Sequence, residues 1–185
     1  MSTEIFYHGS CALFEEFSLD FLGSGDGKAK YGHGIYVTSS LKTADNYARK
    51  IAQKVGKNQY YIYTVEIPTL TEENHIYSRK PVHPSIVERV EQAIGEAVPE
   101  EVTQIGKHFR KYVGNLLSGR RSTIKKMTSK ADDAAESAVA TLFDQIGLAF
   151  LVWPQAQTKP DGDTNRAVLN TKNISVVKVE AYDND

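Results

Sequence analysis

Two short segments bring together residue types that carry chemistry. Phe6-Tyr7-His8-Gly9-Ser10 ends a strand-like run on an imidazole followed by Gly-Ser. Gly32-His33-Gly34-Ile35-Tyr36-Val37-Thr38 is a Gly-x-Gly turn leading into a β-forming run, and Tyr47 lies eleven residues after Tyr36. Each has an ordinary explanation of its own. A histidine at a strand end is commonly a satisfied polar residue, Gly-x-Gly is frequent in loops, and a tyrosine on a helical stripe is core by default. Their joint presence and order are what mark a site. Other chemistries find little support. The histidines at 8, 33, 75, 83 and 108 lack close ligand spacing, and Cys11 is the only cysteine, so a metal centre is not expected. There is no Walker loop, serine nucleophile elbow or zinc-protease helix motif.

The elements that must position these residues can be read from periodicity and punctuation. Glu4 to His8 is a first strand, stopped by Gly9-Ser10. The glycine-rich stretch from Gly23 to Gly34 reads as a long loop, of a length that suggests a functional role. A second strand follows at Ile35–Thr38. Ser39 or Ser40 then caps a helix over Leu41 to Val55, with Ala44, Tyr47, Ala48 and Ile51 on one face and Gly56 as its stop. Tyr60 to Ile67 is a third strand ended by Pro68, and His75 to Tyr77 a possible short one. From Ser85 to about Gly147 the pattern is helical, with stripes at Ile86, Val87, Val90, Ile94 and at Ala134, Ala138, Leu142, Ile146. Strands return at Ala149–Trp153, Arg166–Leu169 and Ser175–Val179, with a polar turn at Lys159–Thr164. The expectation is an α+β chain: one domain, 1–185, with a helical insertion at about 85–147.

The bulk properties agree with a folded domain. Hydrophobic residues are 41% and charged residues 24% of 185, with a net charge of −1, so the chain has enough apolar surface for a core. A lone cysteine fits a reducing compartment. No run approaches the roughly 20 apolar residues of a spanning helix, and the amino terminus lacks signal-peptide features. A cytoplasmic protein with no membrane association is therefore expected. Between Gly106 and Ala131 eight bases occur without an acid: Lys107, Arg110, Lys111, Arg120, Arg121, Lys125, Lys126 and Lys130. Such a run is either a solvated face or a surface for a polyanion, nucleic acid or acidic protein. Phe109 and Tyr112 within it are either stacking platforms for unpaired nucleotides or core.

The two leading motifs together resemble the diphtheria-toxin and poly(ADP-ribose) polymerase branch of the ADP-ribosyltransferase superfamily. There one strand carries His-Gly-Ser, and another carries Gly-Lys-Gly-Ile-Tyr-Phe before an Ala-x-Tyr helix. Here His33 stands where the family has Lys, and the spacing from Tyr36 to Tyr47 needs no gap. The resemblance implies a split β-sheet core with NAD as co-substrate and no metal. It implies that His8 anchors an NAD ribose hydroxyl, and that Gly9 brings its backbone to the nicotinamide carboxamide. It further implies that Ser10 bonds the same carboxamide and that Tyr36 and Tyr47 sandwich the nicotinamide ring. Gly34 and Thr38 belong to the same binding motif, and residues 23–34 would lie over the donor.

A third family motif, Glu-Tyr-x-Val-aromatic-Asp/Asn, fits Asn165-Arg166-Ala167-Val168-Leu169-Asn170 without gaps, with Asn165 in place of the glutamate. In the family this glutamate holds the nicotinamide-ribose 2′-hydroxyl and stabilises the charge that develops as nicotinamide leaves. Asn165 can hold the hydroxyl but brings no charge, a loss typically of a few kcal/mol of barrier. Asp163, two residues upstream, is the alternative occupant. The resemblance thus implies a mono-ADP-ribosyltransferase acting on a protein or nucleic acid, of the kind found among toxins, effectors and phage-encoded modifiers. Two other readings stay open: a catalytically inactive NAD- or partner-binding module, and an NAD glycohydrolase.

Overall fold

A computed structural model describes residues 1–21, 30–120, 132–156 and 162–184. Over these the chain is a mixed α+β fold. One seven-stranded sheet contains β1 (Thr3–Ser10), β2 (Ile35–Thr38), β3 (Gln59–Pro68), β4 (His75–Tyr77), β5 (Phe150–Pro154), β6 (Thr164–Val168) and β7 (Ser175–Asp183). The helices are α1 (Leu41–Lys54), α2 (Pro84–Ile94), α3 (Glu100–Thr103), α4 (Gly106–Leu117) and α5 (Asp133–Gln145). The strands run β4-β5-β6-β2-β1-β3-β7 across the sheet, with β4 and β5 parallel and the other pairs antiparallel. Among the described residues no helix is long and apolar enough to cross a membrane.

Side chains alternate between the two faces of a strand, and the core follows that alternation. Phe6, Ile35, Val37, Tyr63, Val65, Phe150 and Val152 share one buried cluster, on which Phe14 and Phe17 pack. Their neighbours Leu151, Trp153 and Ala167 point the other way, into a cluster with Ile86 and Val90 of α2, Phe109 and Val113 of α4, and Val139 and Phe143 of α5. A third cluster holds Ala44, Ala48 and Ala52 of α1 against Tyr60 and Ile62, with Tyr7 packed beside it. Cross-strand register shows which helices share a face. Trp153 pairs with Asn165, Asn165 with Thr38, and Thr38 with Tyr7. These residues therefore lie in one row on one face, with the α2–α4–α5 block at its Trp153 end and α1 at its Tyr7 end. The helix-side face of β2 lies between these two layers.

Local sequence explains the boundaries. Ser40 caps α1, its Oγ accepting from the Thr43 amide at 3.2 Å. Pro84 opens α2, and Gly95 closes it at φ +77°. The buried stripe of α1 is Ala44, Ala48 and Ala52. This displaces the expected Ala44–Tyr47–Ala48–Ile51 face and leaves Tyr47 on the flank at 45% exposure. β7 continues to Asp183, past the expected end, because it pairs along β3 as far as Gln59. The expected glycine-rich loop up to residue 29, the basic residues Arg121, Lys125, Lys126 and Lys130, and the turn up to residue 161 lie outside the described residues.

Candidate functional site

The sheet opens where the two leading motifs meet. β1 pairs with β3 along its whole length, from Thr3↔Pro68 to Ser10↔Tyr61, and β2 pairs with β6 from Ile35↔Val168 to Thr38↔Asn165. Between β1 and β2 the register is Tyr7↔Thr38 alone. Beyond it, His8-Gly9-Ser10 and Gly34-Ile35-Tyr36 face each other without ladder pairing.

His8 spans this opening. Its Nδ1 lies 2.7 Å from the Tyr36 carbonyl oxygen. A carbonyl only accepts, so Nδ1 carries a proton, and in the neutral ring Nε2 keeps its lone pair. The ring sits edge-on to Phe14, Phe17 and Tyr63, with centroids 6.1, 5.1 and 6.1 Å away. Burial pushes the imidazole pKa below its ordinary value of 6.5, offset in part by the bond to Tyr36. His8 is thus a neutral ring held in one tautomer among Phe14, Phe17 and Tyr63, on the face of β1 opposite to the one that Tyr7 shares with Thr38 and Asn165.

Gly9 and Ser10 have local tasks. A Cβ on Gly9 would lie 2.3 Å from the Ala44 carbonyl oxygen and 2.9 Å from the Ala48 Cβ, so the absent side chain is what lets α1 lie on β1. That packing buries Gly9 beneath α1, with β3 paired on its other edge. Ser10 Oγ donates to the Ala12 carbonyl at 2.9 Å and accepts from the Ala12 amide at 3.0 Å. Its hydroxyl is engaged in a turn of its own.

On the other side of the opening the register gathers the remaining expected residues. Tyr36 and Thr38 share the helix-side face of β2, and half-buried Asn165 stands opposite Thr38. Asp163 lies beyond this row, its Oδ1 accepting from Ser39 Oγ at 3.2 Å. Of the two candidates for the third position, Asn165 is therefore the one in line with Tyr36 and Thr38. Gly34 has φ +151°, and a Cβ there would come within 2.9 Å of the Ala167 Cβ and the Val168 carbonyl, so it fits β2 against β6. Tyr47 stands on the flank of α1, the helix that bounds this face at the Gly9 end.

Tyr36 is the most elaborately held of these residues. Its hydroxyl donates to the Gly32 carbonyl at 2.7 Å and accepts from the Tyr31 amide at 3.3 Å. Burial raises its pKa to about 12, keeping the phenol neutral. Trp153 lies against it, with ring centroids 4.8 Å apart and tilted by 60°, and stacks on Tyr31 at 4.5 Å with an interplanar angle of 2°. His33, where the resembled family has Lys, places Nε2 2.8 Å from the Asp133 carboxylate of α5.

The sequence motifs missed Tyr31 and Trp153, along with Arg110 and Glu136. The run of bases in the sequence points to Arg110 as a surface charge, but it is 2% exposed and pairs with Glu136. Its spacing from Val113 and Gly114, which share its helix face, was the available signal. Phe109 is fully buried, and half-buried Tyr112 packs on the same cluster, so of the two readings of this pair, nucleotide stacking or core, the packing is that of core. Arg120 forms an ion pair with Asp132. Among the described residues no group of three or more His, Cys, Asp or Glu side chains is placed to hold a metal ion. Comparison with protein-family models, with curated proteins and with solved structures finds no match to this chain.

Proposed function

We propose that the chain binds NAD across the opening between β1 and β2 and transfers ADP-ribose from it to a single protein or nucleic-acid acceptor. One observation carries the reading. The opening leaves the Gly9 edge without a ladder partner on β2, with Tyr36, Thr38 and Asn165 gathered on the helix-side face between α1 and the helical block. A flat amide-bearing ring suits a gap between strands, since unpaired backbone N–H and C=O groups there recognise a carboxamide as they would another peptide. Tyr36 and Tyr47 supply aromatic surface, at about 1 kcal/mol per contact. His8 acts from the opposite face of β1, where its Nδ1 holds the Tyr36 carbonyl and so sets the width of the opening. In the transfer, the C1′–nicotinamide bond breaks and nicotinamide leaves with the bonding pair. The acceptor nucleophile then bonds C1′ from the opposite side and gives up its proton. Asn165 holds the ribose hydroxyl next to that carbon.

A second reading is a binding module that holds NAD without turnover. Its support is specific: the position opposite Thr38 is an amide, and the nearby carboxylate of Asp163 is engaged with Ser39. Titration calorimetry with NAD, followed by an assay of nicotinamide release with cell extract as acceptor source, separates the two. Binding with release, both reduced in Tyr36→Ala, supports the transferase. Binding without release supports the module, and in that case Asn165→Glu is expected to raise release by about a hundredfold by supplying the missing charge. Failure of wild-type protein to bind NAD at millimolar concentration overturns both.

A further inference from the structure

The helical block reaches the proposed site through one buried ion pair. Arg110 Nε on α4 lies 2.9 Å from Glu136 Oε2 on α5, and the two side chains are 3% and 4% exposed. Nη2 also donates to Glu136 Oε1 at 3.3 Å, and the remaining donors face the chain that leads into β2. Nη1 donates to the Tyr31 carbonyl at 2.7 Å and Nη2 to the Lys30 carbonyl at 3.3 Å. The Tyr31 amide in turn donates to Tyr36 Oη, and that hydroxyl donates to the Gly32 carbonyl. Gly32 lets the chain pass at φ +106°, because a Cβ there would lie 2.4 Å from the Leu151 Cδ1 and 3.2 Å from the Arg110 Cδ. His33 bonds Asp133, one helical turn before Glu136 on α5. Every residue from Lys30 to His33 is thus fastened to, or packed by, the helical block.

An ion pair is a poor device for merely joining two helices. Burying both charges costs several kcal/mol, and apolar residues of similar volume often hold such a position as well or better. Apolar residues cannot, however, donate two hydrogen bonds to a neighbouring backbone. The planar fork of arginine can, once a carboxylate fixes its orientation. We infer that Arg110, oriented by Glu136, is a positioning residue that holds segment 30–33 and, through it, the Tyr36 ring in the orientation that receives NAD. The consequence for the donor site rests on the NAD-binding reading above; the clamp itself does not.

The test replaces both partners at once, Arg110→Met with Glu136→Leu, so that no unpaired charge stays buried. Trp153 is the only tryptophan and stacks on Tyr31, so its emission reports the clamp without any ligand. The double variant is expected to keep its circular dichroism spectrum, to shift Trp153 emission to longer wavelength, and to bind NAD about tenfold more weakly. Arg110→Lys, which keeps the charge but loses the fork, is expected to show the same two changes. A folded double variant with unchanged emission and unchanged affinity overturns the proposal. Should that variant not fold, hydrogen exchange on wild-type protein decides. The Tyr31 amide is expected to open together with the amides of α4 and α5, and exchange many times faster than theirs refutes the clamp. Should wild-type protein not bind NAD, the site reading falls, while emission and exchange still judge the clamp.

Discussion

At the scale of single residues, the tautomer of His8 carries most of the argument. Its Nδ1 proton is committed to Tyr36, so only the neutral ring offers an acceptor at Nε2, and burial favours that neutral form. Stability must then depend on pH in a defined direction. In the unfolded chain His8 titrates near 6.5, whereas in the folded protein its pKa is lowered, and burial lowers that of His75 as well. As pH falls through 6.5 the unfolded chain takes up protons that the folded one refuses, so stability is complete above this pH and declines below it. Asp132, also lowered but from 3.8, acts only in a more acid range. Thermal melts between pH 8 and 5, an interval chosen to span about one and a half units either side of the histidine value, are expected to show the decline. His8→Asn keeps a donor near the Nδ1 position and does not titrate, so its melting curve should fall less steeply over that interval. A variant that follows the wild-type slope would show that His8 is not the group responsible.

Among the elements, the contact of α1 with β1 is the most exacting. The 2.3 Å approach that a Gly9 Cβ would make to the Ala44 carbonyl involves backbone on both sides, so neither partner can swing aside. Gly9→Ala is expected to lift α1 from the sheet and cost about 1–3 kcal/mol, read as a lower melting temperature. Because α1 carries Tyr47, NAD affinity should fall with it; an unchanged melt would mean that the helix is not seated by this glycine. Elements of this kind were legible in the sequence when they had local punctuation. β2 and β4 match their expected bounds, and α1 starts after Ser40 and stops before Gly56, because caps and stops are local signals. What escaped was set by tertiary packing. The alternation of Ala44, Ala48 and Ala52 against β1 turned Tyr47 outward, and the burial of Arg110 depends on a helix that follows it in the chain. Asn165 fitted its motif by spacing, but its place opposite Thr38 required the β2–β6 register, which no local pattern specifies.

For the molecule as a whole, the question is whether the helical insertion is a separate unit. The strands answer it. β5 and β6 send Leu151, Trp153 and Ala167 into the cluster with the helical block, and Phe150, Val152 and Val168 into the cluster on the opposite face. Neither cluster can be lost while those strands keep both sides covered. Unfolding is therefore expected as one transition, with circular dichroism and Trp153 fluorescence giving the same midpoint. Phe143→Ala, which removes a fully buried ring from α5, should cost about 3–5 kcal/mol and move both probes together, although β1, α1 and β7 lie far along the sheet. A ligand held by β1, β2 and α1 must then stabilise the helical block as well. With NAD at a hundred times its dissociation constant, the gain is about 2.7 kcal/mol, expected in Trp153 fluorescence and circular dichroism alike. If Phe143→Ala instead splits the melt into two steps, the block folds on its own, and occupation of the cleft should raise only the step that contains β1 and β2.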